Sequence, residues 1–504
     1  IISFFNILYC YYFEIFYSLN GFIYLSIVSL ILSFALFIQD KKNMKIVIYE
    51  KILIVILGYI FIPLIFVIPY YFGSYDIAFI DCYFESISGF TSTGFTIFDN
   101  IKHIDESLII WRSSTQWIGG IYFLFSIIIL IDIFDNNLKK SLTNFLSFNT
   151  NEIIKQSFKV LILYSLITIL IFFILKFINL RSFDSLNLSL SLISSGGFLP
   201  FKNIEAIINT DFKRFVFSIL MLLSFFSIFL TYNIVYFKKK GTRVFLEDLN
   251  LFIYLIVIVF IFLIFYRFDN NFSYIFFSIT SSISNIGFSF KEVPLNLIFI
   301  FFVLTIIGGS FFSTSSGLRF IKIYSLVKFS INELLSHSKP NHIFKNKIPF
   351  TDSFILMSDI EKYFLSILIF ILSLFTISFL LTLGGFNFDE SFKIGILTIM
   401  NTVNSSMYNL NNFDETTISK DEYDKSIKEF EALKKRNSEI PPPTEVALAM
   451  VGVAVERNDN PNDILNVWVP SFIGIEGPRA RISKTVVGLY GNVKESDLRV
   501  LSNV

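Results

Sequence analysis

Three stretches of the sequence repeat one arrangement of residues that suits cation binding. They read ISGFTSTGF, SLISSGGF and SSISNIGF, and each ends in a glycine followed by a phenylalanine. In each stretch the glycine lies six residues after a serine, and the three pairs are Ser88 and Gly94, Ser191 and Gly197, and Ser281 and Gly287.

Glycine turns in polar, uncharged segments match the chemical needs of a dehydrated alkali cation. Such an ion needs oxygen ligands in place of its water shell, and rings of backbone carbonyls supply them without trapping it as a carboxylate would. Glycine adopts the unusual backbone angles that turn successive carbonyls to one side. One copy alone would be more typical of a loop after a hydrophobic helix, but three copies in register favour a repeated cation-binding turn.

The composition indicates which elements must position these turns. The chain has 504 residues, of which 54% are hydrophobic and 16% are charged, and 65 are phenylalanine. This composition is typical of polytopic membrane proteins and not of water-soluble domains. Apolar runs predict membrane helices at residues 1–19, 22–38, 51–71, 109–131, 160–177, 215–237, 249–266, 295–307 and 363–383.

The charges orient these helices in the membrane. Basic clusters occur at 40–51, 139–159, 236–243 and 319–347, at alternate turns of the chain, and the positive-inside rule places them in the cytoplasm. The glycine turns then lie on the outer side. The run before each glycine is about a dozen residues long, which is too short to cross the membrane but suits a re-entrant half-helix. Four units of span, half-helix, turn and span around one axis would form a pore.

Three segments carry a resemblance to a known family: FTSTGF, LIIWRSSTQWIGGIYF at 108–123, and IGGSFFSTSSGLRFIKI at 307–323. With them, residues 22–409 resemble the Trk/Ktr/HKT superfamily of potassium transporters, and its TrkH branch most closely. The resemblance implies an all-α polytopic membrane protein with four pseudo-symmetric membrane-pore-membrane repeats around a central pore. The predicted divisions are an N-terminal helix pair at 1–40, pore repeats at 41–140, 141–245, 246–345 and 346–412, and a charged linker with a soluble tail, α/β or β-rich, at 413–504.

The resemblance also implies potassium uptake across the inner (plasma) membrane through a selectivity filter, with K⁺ as the substrate. The implied filter residues are Thr93, Gly94, Gly196, Gly197, Ile286, Gly287, Thr402, Val403 and Asn404. A serine replaces the first glycine in the plant sodium transporters of the superfamily, so Gly94 favours potassium, and a sodium-selective relative is the alternative. The implied partners are a second copy of the chain in a homodimer and a cytoplasmic ring of nucleotide-binding, TrkA-like regulatory subunits.

A second glycine-rich segment interrupts the predicted span after residue 295. Broken helices in transporters mark backbone that faces the permeation path or moves, although a merely kinked helix would have the same composition. The resemblance assigns this segment to an intramembrane gate loop, whose implied residues are Gly308, Gly309, Ser310, Ser313, Thr314, Gly317 and Arg319. On the cytoplasmic side, Arg319 is expected either to repel cations or to extend its charge to the membrane surface.

The remaining charged groups and thiols predict structural roles. Acidic residues near the half-helices are expected to cap helix N-termini or to concentrate cations at the mouth; they are Asp81, Glu85, Asp184 and Asp389. Arg112 is expected to anchor a span or to pair with a half-helix acid. Cys10 and Cys82 are predicted to be buried free thiols. No nucleophile and base pair or phosphate-binding loop appears in the sequence, so we expect neither an enzyme nor a cofactor, and we expect no nucleic-acid partner.

The fourth repeat departs from the other three. Its register predicts Asn404 at the glycine position, with Thr398 six residues earlier, and its final span is missing. Asparagine tolerates left-handed backbone angles, so a working filter strand remains possible there. Residues 420–504 contain only two of the 65 phenylalanines and six of the 12 prolines. Either a soluble module is appended to the transporter, or a truncated and nonfunctional transporter is joined to an unrelated coding sequence.

Overall fold

The protein is described by a computed structural model that covers residues 2–38, 47–73, 77–98, 101, 104–130, 153–201, 204, 207–235, 246–265, 272–288, 298–339 and 357–402. The first half of these residues forms helices α1 (Ile2–Tyr12), α2 (Leu19–Ile38), α3 (Ile48–Phe66), α4 (Ile68–Tyr71), α5 (Phe79–Phe90), α6 (Glu106–Ile129), α7 (Ile153–Phe177) and α8 (Ser182–Ile193). The second half forms α9 (Asp211–Phe225), α10 (Ile228–Val235), α11 (Leu246–Phe265), α12 (Phe272–Ser284), α13 (Ile298–Ile306), β1 (Ile307–Gly308), β2 (Leu318–Arg319), α14 (Phe320–Ser338), α15 (Met357–Leu383) and α16 (Phe388–Ile399).

Within the described part of the chain, four helices are long and apolar enough to cross a membrane. They cover Ile48–Tyr71, Lys155–Phe177, Glu247–Ile264 and Asp359–Leu383. Each is followed in the chain by a short helix of 12 or 13 residues, and these half-helices are α5, α8, α12 and α16. The predicted order of span and half-helix therefore occurs four times.

The half-helices link successive repeats. α5, α8 and α16 contact the long helix that precedes them, which is α3, α7 and α15 respectively. In addition, α8 contacts α6, and α12 contacts α9, so each of these half-helices also packs on the second span of the repeat before it. Such packing arranges the repeats side by side with their half-helices together.

The N-terminal helix is shorter than the sequence predicted. The apolar run at 1–19 was expected to be one helix, but α1 ends at Tyr12, and Glu14 adopts a left-handed φ of 56° that stops the helix. At 1.5 Å per residue an 11-residue helix is about 17 Å long, which is too short to cross the hydrocarbon core. α2 provides a 20-residue helix, and α1 packs against α2 and α6.

The predicted span at 215–237 is also not continuous. α9 ends at Phe225 and α10 begins at Ile228, although the sequence has no glycine or proline there to signal a break. The loop between β1 and β2 causes it: Ser310 N donates to Phe225 O at 3.0 Å, and Ile228 N donates to Phe312 O at 3.1 Å. These bonds to a distant segment replace bonds that the helix would otherwise make internally.

The predicted span from residue 295 is interrupted by a full loop and not by a kink. β1 and β2 pair in parallel, with Ile307 opposite Leu318 and Gly308 opposite Arg319. The backbone between them leaves the helical path and returns to it at α14. The predicted soluble tail at 413–504 and residues Val403 and Asn404 lie outside the described residues, and the divisions between repeats remain predictions.

Alanine at Gly119 should destabilise the contact between α5 and α6. A Cβ atom there would lie 1.8 Å from the carbonyl oxygen of Phe90, a backbone atom that moves only if the helices separate. We expect Gly119→Ala to lower the free energy of unfolding by about 1–3 kcal/mol, measured by thermal melting in detergent. Gly58→Ala is the matched control, because its Cβ would meet the Tyr122 hydroxyl at the same 1.8 Å, and that side chain can rotate. Equal losses of unfolding free energy in Gly119→Ala and Gly58→Ala would contradict the explanation that the fixed backbone at Phe90 causes the destabilisation.

Candidate functional site

The three glycine turns predicted from the sequence meet in the structure. A Cβ atom on Gly94 would lie 2.8 Å from the Cα of Gly197, and one on Gly197 would lie 3.2 Å from the carbonyl oxygen of Ile286. Gly94 and Gly287 adopt φ values of +90° and +84°, a region that disfavours any residue with a side chain. Glycine is thus favoured by backbone angle at Gly94 and Gly287 and by close approach at Gly94, and Gly197 packs tightly against Ile286 O.

The same backbone turn follows all four half-helices. A left-handed residue with φ between 47° and 58° stands just beyond the end of each half-helix, and these residues are Ser92, Ser195, Asn285 and Asn401. In three repeats the next N–H donates to the carbonyl five residues earlier: Thr93 N to Ser88 O at 2.9 Å, Gly196 N to Ser191 O at 2.8 Å, and Thr402 N to Leu397 O at 3.1 Å. The fourth repeat therefore forms the turn, although it has no glycine in it.

The hydrogen bonds give the register of the fourth turn as far as Thr402. Thr402 N donates to Leu397 O as Thr93 N donates to Ser88 O, so Thr402 is equivalent to Thr93 and Gly196, and Leu397 is equivalent to Ser88 and Ser191. Val403 and Asn404 lie outside the described residues, and their places in the filter stay predictions.

The serines six residues before the glycines have a defined contact. Ser88 Oγ donates to Phe95 O at 2.6 Å, Ser281 Oγ donates to Phe288 O at 2.6 Å, and Ser191 Oγ donates to Gly196 O at 3.0 Å. Each serine thus fastens the strand after the turn to its own half-helix. Leu397 has no hydroxyl, so the fourth turn lacks this bond.

Gln116 supports the second turn from α6. A Cβ atom on Gly196 would lie 2.2 Å from one end of the Gln116 amide group, so the side chain lies directly against the backbone. In the amide orientation that satisfies both ends of the side chain, its oxygen accepts from Gly197 N and Phe198 N at 3.1 Å each, and its nitrogen donates to Ser191 Oγ at 3.0 Å. Sequence reasoning missed this residue, although it lies in the segment that carries the family resemblance.

A buried ion pair stands behind the first turn. Glu85 and Arg112 are 0% and 1% exposed, and their Oε1 and Nε atoms are 2.6 Å apart. Glu85 also accepts from Ile97 N at 3.0 Å and from Thr96 Oγ1 at 3.2 Å, while Arg112 Nη2 donates to Thr96 Oγ1 at 2.8 Å. The pair therefore holds the strand that follows Gly94. Pairing of Arg112 with a half-helix acid is confirmed, and the capping role predicted for Glu85 is wrong.

Arg112 also reaches the second repeat. Its guanidinium lies 4.3 Å from the centre of the Phe198 ring, and Phe198 directly follows Gly197. A cation over an aromatic face is attracted to the ring, more strongly where both are desolvated. One buried arginine thus links the strands of two neighbouring turns.

The other acidic residues lie in the first turns of half-helices, and two of them form ion pairs on their own helix. The N-cap residues Ala78, Arg181 and Asn387 make no side-chain cap bond. Asp184 pairs with Arg181 at 2.8 Å, and Asp389 pairs with Lys393 at 2.6 Å. Acidic groups there still favour the positive end of the helix dipole.

The loop between β1 and β2, here called the gate loop (Gly309–Gly317), depends on its glycines. A Cβ atom on Gly309 would lie 2.2 Å from the carbonyl oxygen of Phe225, and one on Gly308 would lie 2.3 Å from that of Ser316. Gly317 adopts a φ of +91°. Side chains at these positions would force the loop away from α9.

Arg319 holds the gate loop from within. Its Nη1 donates to Ser310 O at 2.8 Å, to Ser313 Oγ at 3.1 Å and to Ser315 O at 3.1 Å. The guanidinium therefore points into the loop, and the predicted repulsion of cations stays a prediction because hydrogen bonds to neutral oxygens leave the positive charge in place. Glu247, at the start of the third long span, adds a second anchor by accepting from Phe311 N at 3.0 Å.

The gate loop also contacts the ends of the half-helices. Thr314 Oγ1 donates to Ile193 O at 2.7 Å, at the end of α8. Ser316 Oγ contacts Met400 O just beyond the end of α16 and accepts from Asn285 Nδ2 at 3.0 Å. The loop thus joins the second, third and fourth turns on the side of the half-helix carbonyls.

Oxygen atoms without formal charge dominate the site. Among the described residues, no group of three or more His, Cys, Asp or Glu side chains is placed to hold a metal ion. Cys10 and Cys82 are buried free thiols, as predicted. The converging groups are backbone carbonyls and hydroxyls, which suit a monovalent cation better than a tightly held divalent one.

The relatives that comparison with known proteins finds are all named as potassium uptake proteins or as a cation transporter. No family model matches the chain. It is 22% identical over 393 residues to the Trk system potassium uptake protein TrkG of Escherichia coli (strain K12), covering 74% of this chain and 79% of TrkG. It is 27% identical over 339 residues to an uncharacterized cation transporter of Methanocaldococcus jannaschii, covering 64% and 68%. It is 24% identical over 317 residues to TrkH of Salmonella typhimurium, covering 59% and 66%.

A solved structure shares the fold. The crystal structure of the potassium transporter TrkH from Vibrio parahaemolyticus superimposes with a TM-score of 0.68 at 17% sequence identity. The match covers 80% of this chain and 88% of that one. These relatives are transporters, and none of them is an enzyme by its name.

Proposed function

The chain is a TrkH-like member of the Trk/Ktr/HKT superfamily of potassium transporters, and from this premise we propose that it carries potassium into the cell through the converging glycine turns. The observation that supports this function most directly is the approach of Gly94, Gly197 and Ile286 to one another. Three separate repeats, whose glycines lie 103 and 90 residues apart in the chain, bring the same turn to one place. A structural loop would not need that convergence.

The proposed filter consists of the carbonyls around the four turns. Its residues are Thr93, Gly94, Gly196, Gly197, Ile286, Gly287, Thr402, Val403 and Asn404, the last two of which lie outside the described residues. Carbonyl oxygens replace the water shell of K⁺ at little cost because they are held in place before the ion arrives. The C-terminal ends of α5, α8, α12 and α16 carry partial negative charge, which adds to the attraction for a cation.

Buried supports give the filter its rigidity. Selectivity by carbonyl rings depends on the number and field strength of the oxygens presented to the ion. The bonds from Ser88, Ser191 and Ser281, the Gln116 amide and the Glu85–Arg112 pair fix those oxygens from behind. We therefore assign these residues to positioning and not to direct ion contact.

The gate loop is proposed to close the pore on the cytoplasmic side of the filter. Its contacts with Ile193 O and Met400 O support this role, because they put the loop against the half-helix ends that face the permeation path. Opening requires that these bonds break while Arg319 keeps the loop folded. The loop can then move as one body about Gly309 and Gly317.

The remaining parts of the proposal concern the assembly. We place the protein in the plasma (inner) membrane as a homodimer, with nucleotide-binding regulatory subunits on its cytoplasmic side. These expectations come from the family and not from contacts in the chain. Cross-linking of the intact membranes tests the dimer, since a monomer would run at the size of one chain.

Growth of a cell that lacks its potassium transporters tests the function. We expect the full chain to restore growth at low potassium and to give rubidium uptake well above that of the empty vector. Sodium uptake should stay at the vector level. Uptake of sodium in preference to rubidium would instead support the sodium-selective alternative.

A second comparison in the same growth experiment tests whether the fourth repeat is functional. If the chain is a truncated transporter joined to an unrelated module, the full chain will not transport ions, whereas residues 1–410 followed by a restored last helix will. Transport by the full chain contradicts that alternative. Transport by neither version contradicts the proposed function itself.

A further inference from the structure

The fourth turn is held in place differently from the other three. Ser88, Ser191 and Ser281 each donate a hydroxyl hydrogen bond to a carbonyl five or seven residues later, and each thereby fastens its turn to its own half-helix. In the fourth repeat the bond from Thr402 N to Leu397 O puts Leu397 at the position of these serines. Its side chain is buried and apolar, so it cannot supply the bond.

Side chains from two other segments contact the fourth turn. Thr93 Oγ1, in the first turn, donates to Asn401 Oδ1 at 3.3 Å. Ser316 Oγ, in the gate loop, donates to Met400 O and accepts from Asn285 Nδ2 at 3.0 Å. A hydroxyl can donate one bond while it accepts another, so Ser316 bridges the third and fourth turns. Among the described residues, the side-chain bonds of the fourth turn thus run to the first turn and to the gate loop.

The second half-helix also contacts the gate loop, but its turn does not depend on that contact. Thr314 Oγ1 donates to Ile193 O at 2.7 Å, at the end of α8. The turn that follows is fastened from its own half-helix, because Ser191 Oγ donates to Gly196 O at 3.0 Å. When the loop moves away, the second turn keeps this bond, whereas the fourth turn loses the bond from Ser316.

A loosely held turn affects which ion the filter accepts. Selectivity of a carbonyl ring depends on the number and field strength of the oxygens presented to the ion. Sodium is smaller than potassium, so the carbonyl oxygens must move inward to coordinate it. A turn with fewer hydrogen bonds moves more easily, and each ordinary bond contributes about 0.5–1.5 kcal/mol. The fourth turn is therefore the part of the filter whose selectivity is most open to adjustment.

We propose that Leu397 is a specificity-determining position that makes the selectivity of the filter depend on the gate loop. Because no hydroxyl at this position fastens the fourth turn, Ser316 sets how rigidly the carbonyl of Thr402 is held. Selectivity for potassium is highest while Ser316 bonds to Met400 O, and it falls when the loop moves away. The inference rests on the proposed function, since it concerns the same filter and the same loop.

Restoring the missing hydroxyl tests the role of Leu397. Leu397→Ser adds a donor opposite the carbonyl of Thr402, which corresponds to the Gly196 carbonyl that Ser191 reaches. Leu397→Ala is the matched control, because it removes nearly the same apolar volume and adds no donor. Rubidium and sodium uptake are measured with the full-length protein in liposomes. We expect the rubidium-to-sodium ratio of Leu397→Ser to exceed that of Leu397→Ala about fivefold, the factor equivalent to one ordinary hydrogen bond.

A double-mutant cycle tests the link to the gate loop. Ser316→Ala removes the bond to Met400 O and should lower the rubidium-to-sodium ratio about fivefold in the wild-type background. In the Leu397→Ser background it should leave the ratio nearly unchanged, because the turn then has its own fastening. Such dependence of one substitution on another measures the coupling between the two sites.

Thr314→Val is the matched control for the loop. It removes a gate-loop bond of the same kind, to Ile193 O, so it should raise the uptake of both ions by weakening the closed position. The ratio should nevertheless stay at the wild-type value, because Ser191 fastens the second turn. A fall in the ratio as large as that of Ser316→Ala would reject the special position of the fourth turn.

Asn401→Gly tests the same inference if the melting temperature shows that Leu397→Ser does not fold. Glycine suits the left-handed φ of 47° at this position, and the change removes the acceptor of the bond from Thr93. We expect the ratio to fall about fivefold. Asn179→Gly is its control, because Asn179 has a similar φ of 63° but is exposed beyond the end of α7, and its ratio should equal that of the wild type.

The outcomes separate this inference from the proposed function. If the wild-type protein carries rubidium but Leu397→Ser and Leu397→Ala give equal ratios, the role of Leu397 is rejected while the filter proposal stands. Equal effects of Ser316→Ala in both backgrounds reject the link to the gate loop, and an unchanged ratio in Asn401→Gly rejects the loosely held fourth turn. If the wild-type protein carries neither ion, the proposed function fails and this inference fails with it.

Discussion

Replacing Gly94 with serine should abolish most potassium uptake and shift the remaining flux towards sodium. The new Cβ would lie 2.8 Å from the Cα of Gly197, and the backbone has a φ of +90°. Backbone strain of about 1–2 kcal/mol and overpacking of about 1–3 kcal/mol act at the same place, so the strand must move. Carbonyl oxygens that are displaced from these positions no longer replace the water ligands that K⁺ loses on entering the filter.

The measurement compares rubidium and sodium uptake in transporter-deficient cells at matched expression. We expect rubidium uptake by Gly94→Ser to fall at least tenfold, which corresponds to about 1.4 kcal/mol. Gly385→Ser is the matched control, because Gly385 has a similar φ of +98° but no heavy atom lies within 4 Å of its Cβ position. Uptake should survive in the control. Wild-type uptake and selectivity in Gly94→Ser would remove Gly94 from the proposed filter.

Replacing Arg112 with methionine should be the most destabilising of the single changes considered. The variant leaves the Glu85 carboxylate, which is 0% exposed, without its cation. Removing one partner of a buried ion pair costs about 3–5 kcal/mol, because the remaining charge is neither hydrated nor compensated. The strand at Thr96 and Ile97 loses its support as well, so we expect uptake to fall together with stability.

The matched control for this prediction is an exposed pair on another half-helix. Asp389 is 79% exposed and bonds to Lys393 at 2.6 Å, so Lys393→Met should cost less than about 1 kcal/mol. Thermal melting in detergent gives both values. The double variant Glu85→Gln with Arg112→Met should recover part of the stability, because no unpaired charge remains. Equal melting temperatures for Arg112→Met and Lys393→Met would show that removing one partner of the buried pair costs no more stability than removing one partner of the exposed pair.

Local features of the chain were predictable because they depend on neighbouring residues. The long apolar runs require lipid, and runs of a dozen residues cannot cross it, so the alternation of spans and half-helices followed from length and composition. The spacing of Ser88 and Gly94 indicated a repeated turn, and the structure shows why six residues recur: the hydroxyl reaches back across that turn to Phe95 O. The interrupted helix at Gly308–Gly317 was equally visible from composition.

Errors arose where a distant segment decides the backbone. The break between Phe225 and Ile228 has no local signal, since it is caused by bonds from residues more than 80 positions later, at Ser310 and Phe312. The contacts of Arg319 had no local signal either, because its acceptors lie in a loop whose folded shape the sequence does not give.

The sequence by itself determined a membrane protein of repeated spans, half-helices and glycine turns, because transfer of apolar residues into lipid and the backbone freedom of glycine act residue by residue. Only the tertiary structure decided which turns meet, how Ser195 and Asn285 contact Thr314 and Ser316, and that Glu85 and Arg112 support the strand after Gly94. Those outcomes depend on hydrogen bonds and close contacts between repeats far apart in the chain, and distances of this kind exist only once the repeats have packed together.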